Sequence, residues 1–173
     1  MVDPDDEAGR GEALMAGGAA VLVAGVEAHA GAWVAATVRR ILDAWGGADD
    51  ATHARALAAA DAAGPIAADR VASELRRLFA QDVADQRATP LQILRTLRVE
   101  PTAVLHQAGV PPVARDGYDE RAFPDDMYGI VPHSPNDLGD EELGGALLAW
   151  GLGKAKVLRT RARRAAGDAE GLS

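Results

Sequence analysis

The sequence predicts an all-α fold, and three observations predict it. Alanine is abundant while aromatic residues make up only 4% of the 173 residues. That balance suits closely packed helices better than a β-sandwich. Apolar residues recur at three- and four-residue spacing through long stretches, the mark of one buried helix face. Sustained apolar–polar alternation is absent, and Val21-Leu22-Val23 is too short and too embedded in alanine to read as a strand. The expected architecture is a single-domain helical bundle of about five to seven helices, with a long irregular proline-rich segment packed on its surface. Residues 1–10 read as an acidic disordered tail, 11–166 as the helical domain and 167–173 as a frayed C-terminus.

Taken in order, helical sequence starts near Glu12. Val23, Val26, Ala30, Val34, Val38, Ile41, Leu42 and Trp45 mark one inward face, and Gly46-Gly47 ends the helix. Gly17, Gly18, Gly25 and Gly31 weaken it, which fits either a second helix approaching closely or a break in the helix near Gly17-Gly18. Residues 49–63 form a short alanine-rich helix with Asp49 and Asp50 at the positive end of its dipole. Gly64-Pro65 then opens another helix, with Val71, Leu75, Leu78, Phe79 and Val83 on its apolar face. Thr89-Pro90-Leu91-Gln92 has the form of a capping box, followed by inward-facing Ile93, Leu94 and Leu97. Pro101 begins a further turn or two carrying Val104 and Leu105, closed by Gly109 and Pro111-Pro112. Ser134-Pro135-Asn136-Asp137 reads as a cap before the last helix, whose inward residues are Leu143, Leu147, Trp150, Val157 and Leu158.

Between those helices, residues 113–136 show no sustained period. A connection this long within a compact domain is unusual and tends to be functional or disordered. Phe123, Met127, Tyr128, Ile130 and Val131 argue for order, because apolar side chains at this density should pin the segment down. The stretch 89–139 holds seven of the nine prolines and both tyrosines. It is the expected functional surface.

Several function classes are poorly supported. There is no cysteine, so disulfides and thiolate metal sites are excluded. No phosphate-binding loop, dinucleotide fingerprint, nucleophile elbow or paired-histidine zinc motif occurs. The formal charge of −8 argues against a general nucleic-acid binder. The apolar run from Leu14 to Val26 is shorter than the roughly 20 residues that span a bilayer. Its flank carries Asp3, Asp5, Asp6 and Glu7 against Arg10, the wrong sign for a secretory leader. A cytoplasmic protein with no membrane partner is expected.

Three groups carry candidate chemistry. Arg115, Asp116, Arg121, Asp125 and Asp126, interleaved with Tyr118, Phe123 and Tyr128, offer the aromatic and arginine content that interfaces use. These eight residues are the expected partner-binding set. The same carboxylates, with Asp119 and Glu120, lack the spacing of a calcium loop and read otherwise as a solvated, internally paired cluster. His29, His53, His106 and His133 have no neighbour at helical ligand spacing. No metal and no cofactor is therefore expected. A helical-bundle enzyme built from His106, His133, Asp125 and Asp126 is the remaining catalytic alternative. Finally, Lys154, Lys156, Arg159, Arg161, Arg163 and Arg164 could meet nucleic acid or a ribosome. They also suit a helix C-terminus and fall around most of the helix rather than on one stripe.

Ala108-Gly109-Val110-Pro111-Pro112-Val113-Ala114-Arg115-Asp116, with Ala122-Phe123-Pro124-Asp125-Asp126 and Ala149-Trp150-Gly151, resembles a group of small proteins from high-GC bacteria. That group has no established activity, so the resemblance implies no catalytic residues. The leading expectation is a non-enzymatic adaptor or regulatory module that binds another protein or a second copy of itself.

Overall fold

The computed structural model describes residues 4–45, 47–124, 126–130, 138 and 142–170. Those residues are all-helical or irregular, with no strand among them. The order is α1 (Pro4–Trp45), α2 (Asp50–Phe79), α3 (Pro90–Leu94), a 3-10 turn (Arg95–Arg98), α4 (Val99–Gln107), α5 (Gly117–Ala122) and α6 (Glu142–Glu170).

α1 is the spine. Its 42 residues correspond to about 63 Å at 1.5 Å per residue. α2 packs along its C-terminal part and α6 along its N-terminal part. Both run antiparallel to α1: Gly31 meets Gly64 of α2, while Gly11 meets Gly153 and Gly18 meets Trp150 of α6. The close-approach role expected for the glycines holds at Gly18 and Gly31. A Cβ on Gly18 would lie 2.6 Å from the Ala146 carbonyl oxygen, and one on Gly64 2.7 Å from that of Gly31. Gly17, by contrast, faces open space.

Two apolar clusters result. The first joins Leu22, Val26, Ala30 and Val34 of α1 to Val71 and Leu75 of α2, Leu94 and Leu97, and Leu143 of α6. The second joins Val38, Ile41 and Leu42 to Ala56 and Ala60 of α2, Val104 and Leu105 of α4, and Val110, Tyr128 and Ile130. The irregular segment thus contributes side chains to the core. The inward faces read from periodicity on α1, α2 and α6 are largely the buried ones. The side chain of Trp45 lies outside the described residues.

Besides α4 starting at Val99 rather than Pro101 and α2 ending at Phe79, short of Val83, four boundaries differ from the sequence reading. α1 begins at Pro4 rather than near Glu12. Proline is preformed for a first turn, the carboxylates that follow suit the dipole, and Arg10 pairs with Asp6 at 2.6 Å. Glu7 also reaches Arg163 of α6 at 3.1 Å. Second, Gly64-Pro65 does not start a new helix but lies inside a continuous α2. Pro65 removes one backbone donor, yet the packing of Gly64 against Gly31 holds both halves in line. Third, residues 117–122 of the irregular segment form α5. Fourth, α6 runs through Gly167 to Glu170. The expected cap at Ser134 falls outside the described residues.

Local caps explain the other boundaries. Asp49 accepts the Thr52 backbone N–H at 2.7 Å, and that hydrogen bond holds its carboxyl below the usual range. At α3, Thr89 and Gln92 exchange reciprocal bonds of 2.8 and 3.3 Å, as the capping box predicts. Past α2, buried Gln86 donates to the carbonyls of Leu78 and Gln81 and accepts from Lys154. That side chain joins the α2 end to α6. Gly109, at φ +81°, turns the chain after α4.

Candidate functional site: a cleft between α4 and the loop after α5

After Gly109 the chain lays Val110 into the core and pairs the Val113 N–H with the Met127 carbonyl at 3.0 Å. The segment therefore doubles back on itself, with α5 at its tip. Asp116 caps α5 by accepting from the backbone of Tyr118 and Asp119 at 2.9 and 2.8 Å. Arg115 donates to the Phe123 carbonyl at 2.6 Å, closing the base of the tip. Asp126 accepts from the Ile130 backbone at 2.7 Å and fixes the return turn through Gly129. Tyr128 is 1% exposed and donates its hydroxyl to the Val110 carbonyl at 2.7 Å. Burial raises the phenol above its usual value of 10.0.

These contacts re-sort the expected partner-binding set. Tyr128 is a core residue. Arg115, Asp116 and Asp126 each make a bond that shapes the segment. Tyr118, Arg121 and Phe123 remain on the surface, Tyr118 at 69% and Phe123 at 42% exposed. Asp125 lies outside the described residues.

Phe123 does not stand alone. It borders a cleft of about 140 Å³ lined by Arg98, Val99, Thr102, Phe123, Asp126 and Ile130. A shallower surface continues from it past Gln92, Arg95 and Thr96. Ile130 is buried, while Val99 is 57% exposed although apolar. Arg95 and Arg98 stand at the rim, with no ion-pair partner among the described residues. Such a site offers an apolar slot beside two guanidinium groups. Among the described residues that line it there is no nucleophile–base pair.

Sequence reasoning missed Arg95, Arg98, Val99 and Thr102. One signal was available: Val99 falls off the inward stripe of Leu97, Val104 and Leu105, an apolar residue on an outward face.

The basic end of α6 is largely engaged within the chain. Arg161 bonds Asp82 at 2.7 and 3.0 Å, which pushes the Asp82 carboxyl down. Arg163 meets Glu7. Lys154 lies 5.2 Å from the Trp150 ring centroid and bonds Gln86. Of the proposed metal or catalytic quartet, His106 is exposed, and His133 and Asp125 are outside the described residues. No group of three or more metal-ligating side chains converges among the described residues.

By length and composition α1 is apolar enough to cross a membrane over Asp6–Ala44. Glu27 near its middle is paired with Arg76 of α2. No protein-family model, curated protein or solved structure matches this chain. Function is therefore read from the geometry.

Proposed function

We propose that this chain is a non-enzymatic protein-binding module, and that its binding surface is the cleft between α4 and the loop after α5. In this reading the described part of the irregular segment, from Gly109 to Ile130, is a fixed strap across the bundle rather than a mobile arm. The observation that carries it is the exposure of Phe123 and Val99 on either side of a slot whose inner wall is buried Ile130. Exposed apolar groups flanking a preformed pocket, with arginines at the rim, are what hot spots are made of. The occupant that fits is one apolar side chain of a partner segment, next to a carboxylate for Arg95 or Arg98. The strap's own hydrogen bonds hold the slot open before binding, which lowers the ordering cost of association. A cytoplasmic adaptor or regulator is the role consistent with this surface.

The test is quantitative capture from the native cell extract, comparing wild type with Val99→Glu and with Phe123→Ser. Both residues are exposed, so both variants should keep the helical circular dichroism and melting temperature of wild type. Proteins held by wild type and lost from both variants support the cleft. An identical captured set for all three chains refutes it.

Nucleic-acid or ribosome binding through α6 is the second reading. Arg161, Arg163 and Lys154 already have partners within the chain, which leaves Lys156 and Arg159 as its main support. It predicts RNA affinity that falls steeply with salt.

A further inference from the structure

The side of α6 that faces away from α1 carries a second apolar stripe. Inward-facing Leu143, Ala146, Trp150, Gly153, Val157 and Thr160 follow a three–four repeat against α1. Gly145, Leu148, Leu152 and Ala155 follow the same repeat on the opposite side. All four are exposed, Leu148 at 64% and Leu152 at 51%. Gly145 and Gly151 weaken the helix, yet a Cβ on either would meet nothing within 4 Å. Nothing among the described residues accounts for them.

We propose that this face of α6 pairs antiparallel with α6 of a second copy, about a twofold axis passing beside Trp150 and Gly151. The register is set by the sequence itself. In an antiparallel pair centred there, Leu148 meets Leu152 of the second copy and Leu152 meets Leu148. Gly145 meets Ala155, and the small residues Ala149 and Gly151 flank the axis, where backbones come closest. Charge agrees with the same register. Glu142 and Lys156 occupy equivalent flanking positions of the repeat, two turns either side of Ala149, so each Glu142 faces Lys156 of the second copy. A parallel pair would instead face each Lys156 with Gly151 and lose the Glu142–Lys156 contact. An isologous contact needs this kind of self-complementarity. The surface is separate from the cleft, so the two proposals stand or fall independently.

A four-turn helix pair lies near the lower limit of about 1,000 Å² for specific interfaces. The dimer should therefore dissociate on dilution. Sedimentation velocity across micromolar to near-millimolar protein should show the mass moving from monomer to dimer. Leu148→Lys with Leu152→Lys should weaken association about tenfold or more while leaving the circular dichroism unchanged. Glu142 also has a contact within its own chain, so charge is tested by exchange. Glu142→Lys and Lys156→Glu should each weaken the dimer, and the double variant should restore it. A purely intrachain role for Glu142 gives no rescue.

Orientation is read by oxidation of single cysteines in this cysteine-free chain. Gly151→Cys should cross-link to itself and Ala155→Cys should not. Cross-linking of Ala155→Cys alone would mean a parallel pair and sink the register. A wild-type chain that stays monomeric throughout overturns the proposal. If that monomer also binds phosphatidylglycerol vesicles through Leu148 and Leu152, the face belongs to a bilayer instead.

Discussion

Gly17 and Gly64 are the same residue type in the middle of helices, yet their surroundings give them opposite values. Gly17 points to open space, where it costs backbone entropy and returns no packing. Gly64 sits where α1 and α2 cross, and an added Cβ would fall 2.7 Å from the Gly31 oxygen and 3.0 Å from its Cα. Those atoms are backbone and cannot swing aside. Gly17→Ala should therefore stabilise the chain by about 0.5–1 kcal/mol. Gly64→Ala should destabilise it by about 1–3 kcal/mol, as overpacking does elsewhere. Urea unfolding of the two variants beside wild type checks both signs. If Gly64→Ala proves neutral, the helices do not meet as closely as drawn. The sequence revealed that some glycines in α1 would be contact points. It could not say which, because Gly17 and Gly18 differ by only one step around the helix.

At the scale of elements, what was legible followed local chemistry. The Thr89 and Gln92 capping box, the Asp49 cap and the stop after Trp45 all depend on residues within one turn of each other. What was not legible depended on contacts across the chain. Gly64-Pro65 reads as a helix boundary by every local rule, and α2 continues through it because Gly31 of α1 packs there. Likewise the sequence leaves Tyr128 both an anchor of the segment and a partner-binding aromatic, and only the fold-back of the strap, which buries it, decides for the anchor. The cleft is the extreme case, since Val99 and Phe123 are brought together from two elements and no single periodicity reports it.

The buried tyrosine makes the strap testable by pH. Its folded phenol titrates above the ordinary value of 10.0, so the folded state retains a proton that the unfolded state has lost. The stability contributed is complete below about pH 10 and is lost as pH rises through the folded value. Tyr128→Phe removes the titrating group and leaves the Val110 carbonyl unpaired, for a cost of about 1–3 kcal/mol at neutral pH. The stability gap between wild type and Tyr128→Phe should accordingly shrink from pH 9 to pH 11. A gap that stays constant over that range would mean the hydroxyl is not buried against Val110.

The whole molecule is an uneven assembly along one long helix. Both apolar clusters begin at Leu22 of α1 or beyond it, where α2, α3, α4 and the strap all contribute. Before that point α1 is covered chiefly by α6. There the contacts are Gly11 against Gly153 and Val157, Gly18 against Trp150, and the exposed pair Glu7–Arg163. Exposed ion pairs contribute little, with a median of about 0–1 kcal/mol, and the segment after α2 ties to this arm at Lys154 and Arg161, short of its far end. Residues 6–10 of α1 and 162–167 of α6, beyond those ties, should thus open together, at a free energy well below that of global unfolding. Native-state hydrogen exchange should show those two stretches as one weakly protected unit, with residues 26–42 and 56–78 exchanging only through global unfolding. Pairing of α6 with a second copy would cover its outward face from Glu142 to Lys156 and raise protection there as protein concentration increases. It would leave the α1 end of the arm the weaker partner. Uniform protection along all of α1 would contradict this division and imply a third element over the arm.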